Sequence, residues 1–266
     1  MTNIELSLVP SPEERRDKIE SLTCEHCAKG SLLDFDFTFA FQPIVDLDKK
    51  EVHSYEALVR GVEGEGAAEI LSRVTRDNRF RFDQLCRAKA ITLASRLGIT
   101  TNININFLVN AVYDPDQCIR LTLECARKNN FPIERIILET TEEEKIEDPL
   151  FLKHVLEGYR SHGLLIAIDD FGEGYSSLNL MAQLTPEYLK LDRQLVTAID
   201  RDTVRRRIVS AMVTLCREMG IRLIAEGVET LEEVRTLREM GIALFQGYFF
   251  ARPGFESLPS VSRMDL

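Results

Sequence analysis

Short apolar segments alternate with longer segments of helical periodicity along most of the chain. Residues 102–107, Asn-Ile-Asn-Ile-Asn-Phe, alternate strictly between polar and apolar side chains, as a half-buried strand does. A polar turn at 46–50 separates the first two apolar segments, which predicts a hairpin. The pattern predicts strands at residues 39–45, 52–59, 102–107, 135–139, 164–168, 188–191, 221–225 and 243–246.

Helical periodicity fills the connections between these strands. The predicted helices are 67–75, 82–97, 116–129, 150–162, 204–219 and 231–240. Regular alternation of strands and helices is typical of a parallel sheet, either open or closed into a barrel. Gly61, Gly64 and Gly66 lack the spacing of a dinucleotide-binding motif, so we interpret them as part of an ordinary loop.

The beginning of the chain lacks this periodicity. We therefore predict an N-terminal extension at 1–34 and one α/β domain at 35–266. A chain of 266 residues suits this division, because α/β barrels of about 250 residues commonly form a single domain.

Composition and charge narrow the class of protein. No apolar run approaches the roughly 18 residues that span a bilayer, and the acidic N-terminus lacks the features of a signal peptide, so we predict a cytoplasmic protein without a membrane segment. A net charge of −10 argues against binding to DNA or RNA polymers. It permits a small anionic substrate if divalent metals reverse the local field.

The cysteines predict no disulfide framework. Six of them are scattered through a long chain without a secretion signal, which is typical of reduced thiols. Cys24 and Cys27 form one close pair, but a closed zinc site needs four ligands and no second suitable pair follows. We favour an unmetallated N-terminal element, with a redox or metal role for the pair as the alternative.

Polar side chains stand at the ends of successive predicted strands. Any one of them could be an ordinary strand exit into water, but the whole set predicts a site, because strand ends in such a barrel converge on one face. The set is Glu56, Asn104, Glu139, Asp169, Asp170, Lys190, Glu226 and Gln246.

The donor atoms in this set favour a hard metal ion. Carboxylate and amide oxygens without imidazole or thiolate favour Mg²⁺ or Mn²⁺ over Zn²⁺, and Ca²⁺ fits the same donors but is expected to inhibit. Consecutive strand residues point to opposite faces, so Asp169 and Asp170 can share a site only if the strand ends there, at the turn 171–174. Such a pair could serve two metal ions. Lys190 among these acids is expected to stay charged.

The chain resembles the EAL domain family, which is named for the triplet at Glu56-Ala57-Leu58. The resemblance runs from about residue 39 to 253, with the family's motifs in the family's order. They are Phe41-Gln-Pro-Ile-Val-Asp-Leu, Tyr55-Glu-Ala-Leu-Val-Arg, Asn104-Ile-Asn, Leu138-Glu-Thr-Thr-Glu, Ile168-Asp-Asp-Phe-Gly-Glu-Gly-Tyr-Ser-Ser-Leu, Leu189-Lys-Leu-Asp, Ala225-Glu-Gly-Val-Glu and Phe245-Gln-Gly-Tyr.

The resemblance implies a fold and an activity. The fold is a TIM-type (β/α)8 barrel with an antiparallel first strand, in agreement with the hairpin. The activity is metal-dependent hydrolysis of the bacterial messenger cyclic di-GMP to linear pGpG, with two Mg²⁺ or Mn²⁺ ions. The family also often forms homodimers. The alternatives are a cyclic di-GMP receptor that does not hydrolyse its ligand and a protein-interaction module on the same scaffold.

The resemblance also implies a role for each site residue. Metal ligands would be Glu56, Asn104, Glu139, Asp169 and Asp170. Lys190 and Glu226 would act with Glu56 in catalysis by positioning or activating water. The substrate would be held by Gln42, Arg60 and Gln246, and the supporting residues would be Glu142, beside the loop after Asp170, and Glu229, beside Glu226.

Two positions depart from the family's usual pattern. Glu173 stands between two glycines where the family often has threonine, and we expect its carboxylate to point toward solvent. Asn106 stands where serine is common in the family.

Overall fold

The structure, a computed structural model, describes residues 33–75, 77–108, 112, 115–141, 149–172 and 177–265. The predicted hairpin opens the fold, with β1 at Thr38–Asp46 and β2 at Glu51–Arg60 paired antiparallel. Asp46 stabilises the turn between them, because its Oδ1 accepts hydrogen bonds from the backbone amides of Asp48 and Lys49, each at 3.1 Å.

Parallel strands continue from β2 and close the sheet. Each strand from β2 to β8 pairs with the next in chain order, and β8 then pairs antiparallel with β1 at Val45 and Asp46. In the described part of the chain this makes a closed barrel of eight strands, which confirms the predicted fold class. The parallel strands are β3 Asn102–Asn106, β4 Ile136–Thr141, β5 Leu165–Phe171, β6 Tyr188–Leu191, β7 Arg222–Ala225 and β8 Leu244–Phe245. A short strand, β9 at Gly254–Phe255, pairs with β1 outside the barrel order.

Helices cover the outside of the barrel between the strands. They are α1 Ala67–Leu71, α2 Arg79–Arg96, α3 Pro115–Lys128, α4 Pro149–Ser161, α5 Ser177–Leu184, α6 Arg193–Val196, α7 Thr203–Met219 and α8 Leu231–Glu239. The prediction of a helix at 67–75 was too long, because α1 ends at Leu71. Helices α5 and α6 and strand β9 were not predicted. None of the helices in the described ranges has the length and apolar character needed to cross a bilayer.

The proposed N-terminal extension lies almost entirely outside the described residues, and so does the Cys24–Cys27 pair. The division at residue 34 therefore stays a prediction.

Apolar side chains fill the middle of the barrel interior. Successive strand residues point to opposite faces, so alternate positions face inward. One buried cluster, separate from the larger core between strands and helices, joins β1, β4, β5, β6, β7 and β8. It consists of Ile44, Ile137, Ala167, Tyr188, Ile224 and Leu244. This layer separates the two polar ends of the barrel interior.

The amino ends of the parallel strands carry a polar network around His53. Its Nε2 lies 3.1 Å from the Tyr188 hydroxyl and 3.4 Å from Asn102 Nδ2. Arg222 lies beside them, with Nη2 at 3.2 Å from Asp46 Oδ2. Burial and, next, the Arg222 charge lower the pKa of His53 to about 4.

We expect His53 to make the protein less stable in mild acid. Its folded pKa is below the usual value near 6.5, so the unfolded state binds the proton first as pH falls. The contribution of neutral His53 to the free energy of unfolding is fully present above the unfolded pKa. It declines as pH falls toward about 4, by at most about 3 kcal/mol. Urea denaturation gives the free energy of unfolding at pH 7 and at about pH 4.5. The drop in this free energy between the two pH values should be smaller for His53→Gln than for the wild type. Equal differences in the two proteins would contradict this assignment.

Candidate active site

Side chains from every barrel strand meet at the carboxyl ends of the parallel strands. The structure brings together Gln42, Glu56, Asn104, Glu139, Asp169, Lys190, Glu226 and Gln246. All of them except Glu226 belong to the buried class, although their side chains are polar or charged. Such burial requires that each group be paired or bound. Inward alternation along the strands explains how they converge, because each lies on the inward face of a strand or, like Glu226 and Gln246, directly after one.

Lys190 lies at the centre of this group. Its Nζ is 2.8 Å from Glu226 Oε1 and 2.9 Å from Asp169 Oδ1. It is also 3.1 Å from Glu139 Oε2 and 3.4 Å from Glu56 Oε2. One ammonium group therefore contacts four carboxylates, each supplied by a different strand or strand exit.

The cluster carries more negative charge than Lys190 can neutralise. Burial opposes the charged form of Lys190, but the surrounding carboxylates outweigh burial and raise its pKa well above the usual value. Burial raises the pKa of Glu139, and the carboxylates of Glu56 and Asp169 add to that effect. Burial and the neighbouring Asp169 likewise raise the pKa of Glu226. A further cation would relieve this repulsion.

The geometry of the oxygens fits divalent metal ions. One oxygen each from Glu56, Glu139 and Asp169 lie within 4.8 Å of one another, and so do oxygens from Asp169, Asp170 and Glu226. Asp169 belongs to both groups, so two ions could share it.

Asn104 supplies a further observation that points to a cation. Its Nδ2 donates to Glu139 Oε1 at 2.7 Å, whereas its Oδ1 is buried and has no hydrogen-bond partner among the described residues. An unpartnered buried carbonyl oxygen is costly, and a hard cation would satisfy it.

Asp170 reaches the site through a break inside β5. The strand continues to Phe171, so it does not end at residue 168 as predicted. Instead, pairing with β6 shifts register between Ile168 and Phe171, and Asp170 has a φ of 54°. An aspartate tolerates this left-handed conformation better than most residues. The break replaces strand alternation locally, which allows consecutive aspartates to belong to one cluster.

Gln246 and Gln42 extend the polar cluster toward β1. Gln246 Nε2 lies 2.6 Å from Glu56 Oε2 and 3.3 Å from Gln42 Oε1. Gln42 Nε2 donates in turn to the Ala251 carbonyl at 3.3 Å. Gln246 Oε1 is buried without a partner among the described residues, so it remains available to a ligand.

Two further residues implied by the resemblance, Arg60 and Glu229, belong to the described part of the chain. Arg60 is four positions beyond Glu56 on β2, on the same face by alternation, and its Nη1 donates to the Val59 carbonyl at 2.7 Å. Glu229 is exposed, and its backbone amide donates to Glu233 Oε2 at 3.0 Å. Glu142 and Glu173 lie outside the described residues, so the expected orientation of Glu173 stays a prediction.

A cavity of about 240 Å³ opens beside the carboxylates. Glu56, Asp170, Glu226 and Glu229 contribute to its lining, as do residues to which the sequence analysis assigned no role. The latter are Asp192, Arg193, Gly227, Gly247 and Tyr248. Asp192 and Tyr248 do end two of the motifs that carry the family resemblance, which was the available signal for them.

Two of these missed residues depend on local backbone geometry. Asp192 caps α6, because its Oδ1 accepts from the Gln194 amide at 2.8 Å. Gly227 has a φ of 66°, and a Cβ there would lie 2.6 Å from the Cβ of Arg193. Glycine at this position therefore lets the exit of β7 pack against the start of α6.

Sequence comparison identifies a family over most of the chain. The model of the EAL domain matches residues 30–253. The antirepressor BluF of Escherichia coli is 29% identical over 225 residues, which cover 84% of this chain and 56% of that protein. The probable cyclic di-GMP phosphodiesterase PdeN of the same species is 31% identical over 230 residues, which cover 82% of this chain and 43% of that protein. The chain spans about half the length of these curated relatives.

Structure comparison gives the same family. A standalone versatile EAL protein from Vibrio cholerae, in its c-di-GMP bound form, is 52% identical with a TM-score of 0.84, covering 86% of this chain and 97% of that one. The manganese and cyclic di-GMP complex of Klebsiella pneumoniae BlrP1 at pH 6 is 36% identical with a TM-score of 0.80, covering 85% of this chain and 57% of that one. From its sequence motifs, its barrel and these matches, the chain belongs to the EAL domain family.

Proposed function

We propose that this chain is a cyclic di-GMP phosphodiesterase that hydrolyses its substrate to linear pGpG and requires Mg²⁺ or Mn²⁺, with two ions in the site. The observation that carries the proposal is the buried excess of carboxylates around Lys190, together with the unpartnered amide oxygen of Asn104. A further cation would relieve the repulsion in such a cluster, and the bound cation would give a phosphate diester a place to bind.

The names of similar proteins support the substrate. The Vibrio cholerae neighbour has c-di-GMP bound, and BlrP1 has been crystallised with cyclic di-GMP and either manganese or calcium. NbdA of Pseudomonas aeruginosa, 31% identical over 88% of this chain, is named a cyclic di-GMP phosphodiesterase.

The metal ligands follow from the two groups of oxygens. Glu56, Asn104, Glu139 and Asp169 would hold one ion, and Asp169, Asp170 and Glu226 would hold the second. Bound there, divalent ions supply Lewis-acid stabilisation of charge on the phosphate and make water a better nucleophile.

Lys190 and Glu226 act directly on the reacting groups. Lys190 stays protonated among its carboxylates, so it orients the attacking water and stabilises negative charge instead of removing a proton. Glu226 stands at the cavity wall, where a carboxylate oxygen can accept a hydrogen bond from that water.

The substrate is held at the rim of the site. Gln42 and Gln246 both line the cavity and present their amide groups at its mouth. Arg60 can donate two parallel hydrogen bonds to a phosphate, which a lysine cannot do with the same geometry.

A binding or interaction role is the second candidate, and the similarity to BluF, named an antirepressor, favours it. The two roles separate on one measurement, in which purified protein is incubated with cyclic di-GMP and Mn²⁺ or Mg²⁺ and the products are resolved by chromatography. Appearance of pGpG supports the enzyme. Unchanged cyclic di-GMP, in the presence of measurable binding, would support the receptor.

We expect turnover to depend on the carboxylate of Glu56. Glu56→Ala should reduce the rate to background, because it removes a metal ligand, and excess chelator should do the same to the wild type. Glu51→Ala is the matched control, since Glu51 is an exposed glutamate at the start of the same strand. Circular dichroism should give the same helix content for all three proteins. Wild-type-like activity in Glu56→Ala would refute the assignment.

Arg60→Ala should weaken substrate binding more than it slows the chemical step. We expect KM to rise by about tenfold or more, because a charge-assisted bidentate contact is lost. Arg135 is exposed at the opposite end of the barrel, just before β4, so Arg135→Ala is the control and should keep the wild-type KM. An unchanged KM in Arg60→Ala would place the substrate elsewhere.

Lys190→Met should affect kcat more than KM, the reverse of what we expect for Arg60→Ala. The variant keeps an unbranched side chain of slightly shorter length but loses its charge, so kcat should fall by about a hundredfold or more while KM changes little. Thermal unfolding with and without Mn²⁺ checks that the variant is folded, because added cation should restore part of the lost stability. A normal kcat would make Lys190 an ordinary structural charge.

A further inference from the structure

Strand β3 presents three asparagines on one face, each serving a different partner. Asn102 Nδ2 contacts His53 at the amino end of the barrel, and Asn104 Nδ2 donates to Glu139. Asn106 is the last of the three, and its Nδ2 donates to Glu56 Oε1 at 3.2 Å. The first contact belongs to the structural end of the barrel, whereas the other two belong to the carboxylate cluster.

Glu56 is held from both sides by neutral amide donors. Asn106 contacts Oε1, whereas Gln246 contacts Oε2 at 2.6 Å and Lys190 contacts the same oxygen at 3.4 Å. A carboxylate offers about four lone-pair positions, two on each oxygen. Two donors therefore occupy Oε2, and one occupies Oε1, which leaves a lone pair of Oε1 available.

The chemistry of the donor on Oε1 matters as much as its position. Asn106 is exposed at the barrel mouth, so it adds little to stability through burial. An amide is neutral and does not repel a cation, unlike a lysine or arginine donor at the same place. It fixes the rotation of the carboxylate while Oε1 keeps a position for another partner.

We propose that Asn106 is a positioning residue that orients the Glu56 carboxylate to bind a divalent cation. The inference rests on the proposed metal site, and it concerns how tightly that site binds metal. The donor must stand at least two bonds beyond Cβ, as Nδ2 does. A serine hydroxyl at this position is one bond beyond Cβ and has the shorter reach toward Glu56.

The test is Mn²⁺ binding to protein without substrate, measured by isothermal titration calorimetry. Asn106→Ala and Asn106→Ser should each weaken binding by about tenfold, as loss of a group that orients a metal ligand commonly does. Asn106→Gln keeps an amide donor, and the open mouth gives it room, so it should recover most of the affinity. Asn102→Ala is the matched control, with the same residue type on the same strand face, and should bind Mn²⁺ as the wild type does.

Steady-state kinetics give a second measurement on the same variants. The Mn²⁺ concentration for half-maximal rate should rise in Asn106→Ala, whereas kcat at saturating Mn²⁺ should stay near the wild-type value. A general loss of structure in Asn106→Ala would lower kcat at saturating Mn²⁺ as well.

The outcomes separate this inference from the proposed function. Wild-type affinity in Asn106→Ala, or an equal loss in Asn102→Ala, overturns the positioning role. A wild-type protein that binds no Mn²⁺ overturns both the role and the metal site. Normal Mn²⁺ binding that weakens in Asn106→Ala, without any hydrolysis of cyclic di-GMP, supports the positioning role and contradicts only the proposed function.

Discussion

The contact of one buried ammonium with four carboxylates is the interaction around which the mouth of the barrel is organised. Lys190 is fully buried, so its charge depends on those partners, and they in turn depend on Lys190 to lessen their mutual repulsion. Its partners come from β2, β4, β5 and the exit of β7. Strands on all sides of β6 must therefore stand in correct register for the cluster to form.

The closed sheet supplies that register. Neighbouring strands are staggered, so Glu56 pairs with Asn104 across β2 and β3, but Glu139 on β4 pairs with Asn106. Asn104 consequently reaches Glu139 diagonally, and Asn106 reaches back to Glu56 in the same way. The apolar layer below, which includes Ile137 on β4, keeps the cluster separate from the His53 network at the other end. A polar site can thus be buried without a continuous polar channel through the barrel.

Much of this arrangement could be predicted from the sequence. Alternating polarity located the strands, and the rule that parallel strand ends share one face identified Glu139, Lys190 and their neighbours. The stagger between strands could not be predicted this way, because register depends on closure of the whole sheet. Nor could the left-handed Asp170, because polarity patterns carry no information on φ; the pattern favoured an early strand end instead. Asp192 was missed for a related reason, since it follows a short strand and caps a helix of only four residues.

The helical layer also holds the mouth in shape, through a charged pair that burial would ordinarily disfavour. Asp83 and Arg87 on α2 are almost fully inaccessible and lie 2.7 Å apart. Desolvation offsets most of what such a pair contributes to stability, so its main effect is geometric. Asp83 Oδ1 accepts from the Leu108 amide at 2.9 Å, directly after Phe107, whose amide donates to the Glu139 carbonyl. The chain leaving β3 is therefore fixed both to the outer helix and to a site strand. This segment directly follows Asn104 and Asn106 on β3. The buried pair therefore helps to hold the side-chain amides of these two residues in position at the barrel mouth.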